Sequence, residues 1–230
     1  MVNLMELLAK FIAVALILSM HEFAHAFAAY KCGDPTAKWQ GRMTLNPAKH
    51  FDPLGLVSFA LVGFGWAKPV PVNPYNFKNR RVGSFWTSIA GVLINFLFAF
   101  LFYPVLTFVL RWLTEVESLT YGHYLVYYFA FYAFAFSLNF CAFNLLPLYP
   151  LDGFRVVDAL DKKRGKVYCF LRDYGYKILL GLFILSIFSD YAFSRTGNPV
   201  FAYLDVLGVV MSYLTGFLQR PIAWFWGLIF

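Results

Sequence analysis

Phe85 to Leu110 reads FWTSIAGVLINFLFAFLFYPVLTFVL, without one charged side chain. A run of this length exceeds the roughly 20 residues that a helix needs to cross the hydrocarbon of a bilayer. No water is available there to satisfy backbone N–H and C=O groups, so the segment must close its own hydrogen bonds as a helix. Leu4–Tyr30 and a run beginning near Tyr124 are of the same kind, as are Tyr174–Phe188 and Phe201–Leu218, with Tyr174–Phe188 rather short. Of the 230 residues, 60% are hydrophobic and only 13% charged, more apolar surface than a soluble domain of this size can bury. The expectation is an all-α polytopic membrane protein with about five to six transmembrane helices. One transmembrane domain is expected over 1–230, with a core over about 4–160 and additional helices over about 174–230.

Between the first two spans the pattern changes. KWQGRMTL (38–45) alternates loosely and is compatible with a strand. Leu54–Ala67 is apolar but too short to span and carries Gly55, Gly63 and Gly65, so a re-entrant or β-like piece is expected. Pro69, Pro71 and Pro74 then require an extended or turning chain. The third span ends at NLLPLYPLDG, where Pro147 and Pro150 break the helix before a new start. PIAWFWGLIF (221–230) reads as an interfacial tail, its tryptophans suited to the headgroup boundary.

The formal charge of +7 lies mainly in loops. Residues 31–84 carry eight Lys and Arg and 161–173 carry five, whereas 111–121 and 189–200 carry one each. That alternation places the N-terminus outside and the two basic loops in the cytoplasm. It speaks for a membrane-proximal surface and against nucleic acid as a partner. Glu6 and Lys10 precede the first apolar run without a basic leader or a cleavage site, so this helix is expected to stay in the mature protein. Cys32, Cys141 and Cys169 are scattered and form neither a disulfide framework nor a metal knuckle.

Inside the first span sits HEFAH, residues 21–25. His21 and His25 share one helix face, one turn apart, and two imidazoles so placed can both ligate zinc. Glu22 can take a proton from metal-bound water. Ionisable groups at this depth are costly unless paired or metal-bound, which strengthens the reading. A polar helix face or a proton relay is the alternative. A zinc hydrolase needs a third protein ligand and one open position. His123, Glu115 and Glu117 fall on the outer side; His50 and Asp52 lie on the cytoplasmic side but in a loop. Counted as helix, His21 and His25 lie about 15 and 9 Å inside the Lys31 boundary, and Asp152 about 13–14 Å inside Asp161. Equal depth favours Asp152, which as a lone Asp after a proline turn could otherwise serve as an N-cap.

HEFAH in the first span and NLLPLYPLDG later resemble the site-2 protease family of intramembrane zinc metalloproteases. LNPAKHFDPLG and FGWAKPVPVNP resemble its compact bacterial and archaeal branch, and the likeness runs from about residue 15 to 160. The resemblance implies one Zn2+ per chain held by His21, His25 and Asp152, with Glu22 as general base. It implies transmembrane proteins or peptides as substrates, a lipid bilayer as setting and a water path from the cytoplasm, in the plasma membrane of a prokaryote. It also suggests that Asn144 stabilises the oxyanion or the substrate backbone, although Asn144 could equally satisfy carbonyls of the broken helix. His50 and Asp52 match a loop motif of the family, and either a supporting role or a plain turn suits them. The family's AGPxxN motif appears as AGVLIN, with Val92 in place of proline and Asn95 matched. A zinc or proton transporter and a silent membrane scaffold are the rival classes. Transporters usually carry repeated halves with matching broken helices, and this chain has one broken segment and no repeat. No PDZ-like regulatory domain is expected in this length.

Overall fold

The computed structural model describes residues 4–55, 58 and 65–229. Five helices among them are long and apolar enough to cross a membrane. They are α1 (Leu4–Cys32), α3 (Arg80–Thr114), α4 (Tyr121–Asn144), α6 (Lys166–Thr196) and α8 (Val206–Trp226). Shorter helices are α2 (Thr36–Trp39), α5 (Asp152–Leu160) and α7 (Pro199–Leu204), with single 3-10 turns at Pro47–Lys49 and Pro74–Asn76. No strand occurs among the described residues; an isolated antiparallel bridge joins Phe51 to Ala67. The all-helical polytopic expectation therefore holds.

The spans run further than their apolar stretches. α6 begins at Lys166 and carries Arg172, Asp173 and Lys177 before its apolar part. Hydropathy ends where lipid ends, but backbone hydrogen bonding continues into the aqueous boundary. Likewise α8 passes through Pro221 to Trp226 and absorbs much of the segment expected as a tail. The segment 38–45 also differs from expectation: it completes α2, turns at Gly41 with φ +62°, and bends on without strand pairing. A loose alternation of polar and apolar residues cannot make a strand without a partner edge. Most of Leu54–Ala67, namely 56, 57 and 59–64, lies outside the described residues.

The chain divides into two compact units, 1–141 and 142–230. In the first, α1 packs along α3, with Ala9, Ala13, Ile17, Ala26 and Ala29 of α1 fully buried. Small side chains let two helix backbones approach closely where lipid supplies no hydrophobic drive. Asn79 caps α3, its Oδ1 accepting from the N–H groups of Arg81 and Val82 at 3.1 Å each. Near the start of α1, Tyr132 of α4 donates to Glu6 Oε1 at 2.6 Å, and Lys10 Nζ lies 2.8 Å from the same oxygen.

In the second unit, the chain leaving α4 turns through Leu145–Leu151, with a cis Tyr149–Pro150 peptide, into α5. A Cβ at Gly153 would lie 2.4 Å from the Leu145 carbonyl oxygen, so only glycine permits this return. α6 packs against α5, α7 and α8.

Candidate metal centre

In the first unit, α1 carries HEFAH at the depth where α3 passes behind it. His21, Glu22 and His25 are all buried within a helix whose other faces are apolar. The Nε2 atoms of His21 and His25 face each other at 3.0 Å, with the rings nearly perpendicular. Each ring's other nitrogen is held by α3. His25 Nδ1 lies 2.6 Å from the Thr87 carbonyl oxygen, to which only an N–H can donate. That bond fixes the tautomer and leaves the Nε2 lone pair as a ligand.

The Asn95 side chain serves His21 in the same way. Its amide nitrogen stands 3.0 Å from His21 Nδ1, and its oxygen is buried without a hydrogen bond. A half-turn of the amide would place the oxygen as acceptor for Nδ1–H, the arrangement that a zinc ion on Nε2 requires. Thr87, Gly91 and Asn95 are spaced four apart, so one stripe of α3 faces both imidazoles. A Cβ on Gly91 would lie 2.5 Å from His21 Cε1 and 2.5 Å from His25 Nε2. Two imidazoles with converging Nε2 atoms and separately anchored Nδ1 atoms suit a zinc ion.

Glu22 faces a loop. Its Oε2 accepts the Val70 N–H at 2.9 Å, and Val70 is buried beside Ala26 and Ala37. The loop is pinned on either side of that contact. Arg42 Nη2 donates to the carbonyls of Lys68 and Pro69, at 2.6 and 3.2 Å. Asp34, fully buried just beyond α1, accepts from Asn73 N at 2.7 Å, Asn76 Nδ2 at 2.8 Å and the Thr36 hydroxyl and N–H. Burial alone raises the Asp34 pKa, but these donors outweigh it and hold the carboxyl below its ordinary range.

His50 and Asp52 build the loop that borders this strap. His50 is fully buried, its Nε2 lies 2.8 Å from Thr44 O, and its own carbonyl accepts from Lys68 N at 2.8 Å. Asp52 Oδ1 accepts from Leu54 N and Gly55 N, both at 3.0 Å. In the second unit, Asn144 is the last residue of α4 and half-buried. Asp152 is buried and is the first residue inside α5, whose N-cap is Leu151 without a side-chain cap. Asp152 thus stands one position inside the N-cap that the sequence offered it, and Arg155 Nη1 stands 3.7 Å from its Oδ1.

Sequence reasoning missed Thr87, Gly91, Val70, Arg42 and Asp34. The i, i+4, i+8 stripe of small and polar residues in an apolar span was the available signal for Thr87 and Gly91. A backbone donor such as Val70 N–H leaves none.

The profile of peptidase family M50 matches residues 9–186. The chain is 40% identical over 181 residues to the "Putative zinc metalloprotease YwhC" of Bacillus subtilis, covering 77% of this chain and 81% of that protein. It is 28% identical over 203 residues to the "Putative zinc metalloprotease Rip2" of Mycolicibacterium smegmatis, 86% of this chain and 73% of that one. Against the protein of the same name from Mycobacterium tuberculosis it is 26% identical over 220 residues, 93% and 78% of the two chains. No solved structure shows a significant match to the chain.

Proposed function

The chain belongs to peptidase family M50 and is an intramembrane zinc metalloprotease, and we propose that His21, His25 and Asp152 hold its single Zn2+ while Glu22 is the general base. The observation that carries the assignment is the anchored imidazole pair, with both Nε2 atoms converging and both Nδ1 atoms held by α3. For Asp152 the support is its burial at the start of α5 and the equal depth argued from the sequence.

When bound, zinc polarises the scissile carbonyl and acidifies a water molecule. Glu22 accepts the water's proton and returns it to the departing amine. With Oε2 engaged by Val70 N–H, Oε1 is the oxygen that handles the proton. Asn144 donates from its amide to the developing oxyanion or the substrate backbone. Asn95 and Thr87 hold the imidazoles, and His50 and Asp52 shape the loop behind Lys68.

Substrates are membrane proteins in a lipid setting. Their transmembrane segments must unwind locally, because a helix hides its carbonyls in its own hydrogen bonds. An apolar hollow of about 330 Å³ along α1, lined by Leu16, Ser19, Met20, Leu45 and Pro47 among others, suits an approach from lipid. The protein is integral to the membrane. By its loop charges the N-terminus lies outside and the site opens to the cytoplasm, in the plasma membrane of a prokaryote. We read residues 1–230 as one protease domain with its catalytic core over about 4–160.

The deciding experiment is cleavage of a membrane-embedded reporter by purified protein beside Glu22→Gln. The wild type is expected to cleave, and the variant to bind zinc normally while losing about 100-fold or more in rate. Cleavage by Glu22→Gln at the wild-type rate would falsify the general-base assignment.

A further inference from the structure

We propose that Arg42 is a positioning residue for the Glu22 carboxylate, acting through the peptide unit that joins Pro69 to Val70. The inference rests on Glu22 being the general base. The Pro69 carbonyl and the Val70 N–H belong to one planar trans amide, so they point in opposite directions. Arg42 Nη2 holds the carbonyl side at 3.2 Å, and the Lys68 carbonyl next to it at 2.6 Å. The N–H side points at Glu22 Oε2, 2.9 Å away. A cation on the oxygen of an amide also makes its N–H a stronger donor, because linked hydrogen bonds polarise one another.

The surrounding chain leaves that amide little freedom. Pro69 and Pro71 have no N–H, so within 68–71 only Lys68 and Val70 can donate. Lys68 N is taken by the His50 carbonyl, which leaves Val70 as the one amide of this stretch directed at the acid. Val70 precedes a proline and is thereby biased to extended backbone. The base of the Arg42 side chain is set as well: its N–H donates to Ala37 O at 2.8 Å, directly after the left-handed turn at Gly41. Arg42 itself is only 9% exposed. A surface arginine could wander; this one has a fixed base, a buried shaft and two adjacent carbonyls to hold.

The test compares wild type, Arg42→Met, Arg42→Lys, Val70→Pro and the Arg42→Met/Val70→Pro double variant. Each is scored for kcat and KM on the reporter, for bound zinc, and for hydrogen exchange over residues 67–74 in zinc-free protein. Arg42→Met should lower kcat by about 10- to 100-fold, since small misplacements of a catalytic group have effects of that size. KM should stay within about twofold and zinc at one per chain, because the substrate and the imidazoles are not touched. Exchange at the Val70 amide should quicken, and Arg42→Lys should recover part of kcat. Adding Arg42→Met to Val70→Pro should lower kcat no further, because both act on the same N–H. An unchanged kcat overturns the proposal. So does a loss matched by lost zinc or lost folded protein, or an equal further loss in the Val70→Pro background. A wild type that leaves the reporter intact sinks the protease reading itself, whereas equal cleavage by wild type and Arg42→Met sinks only this one.

Discussion

Gly91 of α3 passes so close to His25 of α1 that a Cβ added to it would lie 2.5 Å from the ring Nε2. Heavy atoms do not approach to that distance without a bond, so Gly91→Ala must push the imidazoles apart. Alanine is the better helix former by about 1 kcal/mol, so propensity alone would leave the variant slightly more stable. We expect the reverse at the site: zinc affinity lowered by at least about tenfold, measured by chelator competition, with helix content unchanged.

Asn95 holds His21 from the same stripe. Asn95→Leu keeps the branched outline at a larger volume and removes the hydrogen bond to Nδ1, so His21 loses the contact that orients it. The expected result is a 10- to 100-fold weaker hold on zinc, about the size found for other groups that orient metal-bound histidines. Undiminished zinc binding in this variant would show that Thr87 and the helix backbone orient the pair without it.

Removing the metal separates the ligand assignments. Dialysis against a strong chelator should abolish reporter cleavage, and added Zn2+ should restore it. Asp152→Ala should lower bound zinc to a small fraction of one per chain, as His21→Ala should, because a site with two protein ligands is incomplete. Full zinc in Asp152→Ala would return the third-ligand question to the loop carboxylate Asp52.

Asp34 ties the strap to the end of α1, and its contribution has a sign. A carboxyl whose pKa is lowered on folding stabilises the fold fully above its unfolded value of 3.8 and loses that contribution as pH falls through its lower, folded value. Hydrogen-exchange protection over 72–77, measured relative to the intrinsic rate at each pH, should therefore be high at neutral pH and fall in strong acid, below about pH 4. Asp34→Ala should show the low protection at every pH, with a loss of about 1–3 kcal/mol in local stability from the orphaned donors.

Several parts of this architecture were legible because they rest on spacing along one segment. His21, Glu22 and His25 fall within five residues of one helix, and an apolar run long enough for lipid has one available conformation. The helix ends were less legible. Lys166 to Asp173 carries three charges yet is helical, and Pro221 lies inside α8, because helix bonding does not stop where hydropathy does. The expected strand at 38–45 failed for a different reason: pairing needs a second edge, and periodicity in one segment does not supply it.

By itself, then, the sequence determined that the chain is a helical membrane protein with two histidines one turn apart in its first span, the spacing that the proposed zinc site needs. Both follow from local rules, the demand of lipid for satisfied backbones and the one-turn spacing of two histidines. Only the tertiary structure decided what holds that turn in working order. Thr87 contributes a backbone carbonyl, Gly91 a missing Cβ, Val70 a backbone N–H and Arg42 its grip on two carbonyls. For Thr87, Gly91 and Val70 the working group is main chain or empty space, which residue identity scarcely records, and for Arg42 it is side chain meeting main chain across a loop. Such contacts exist only once α1, α3 and the 68–76 strap have folded against one another.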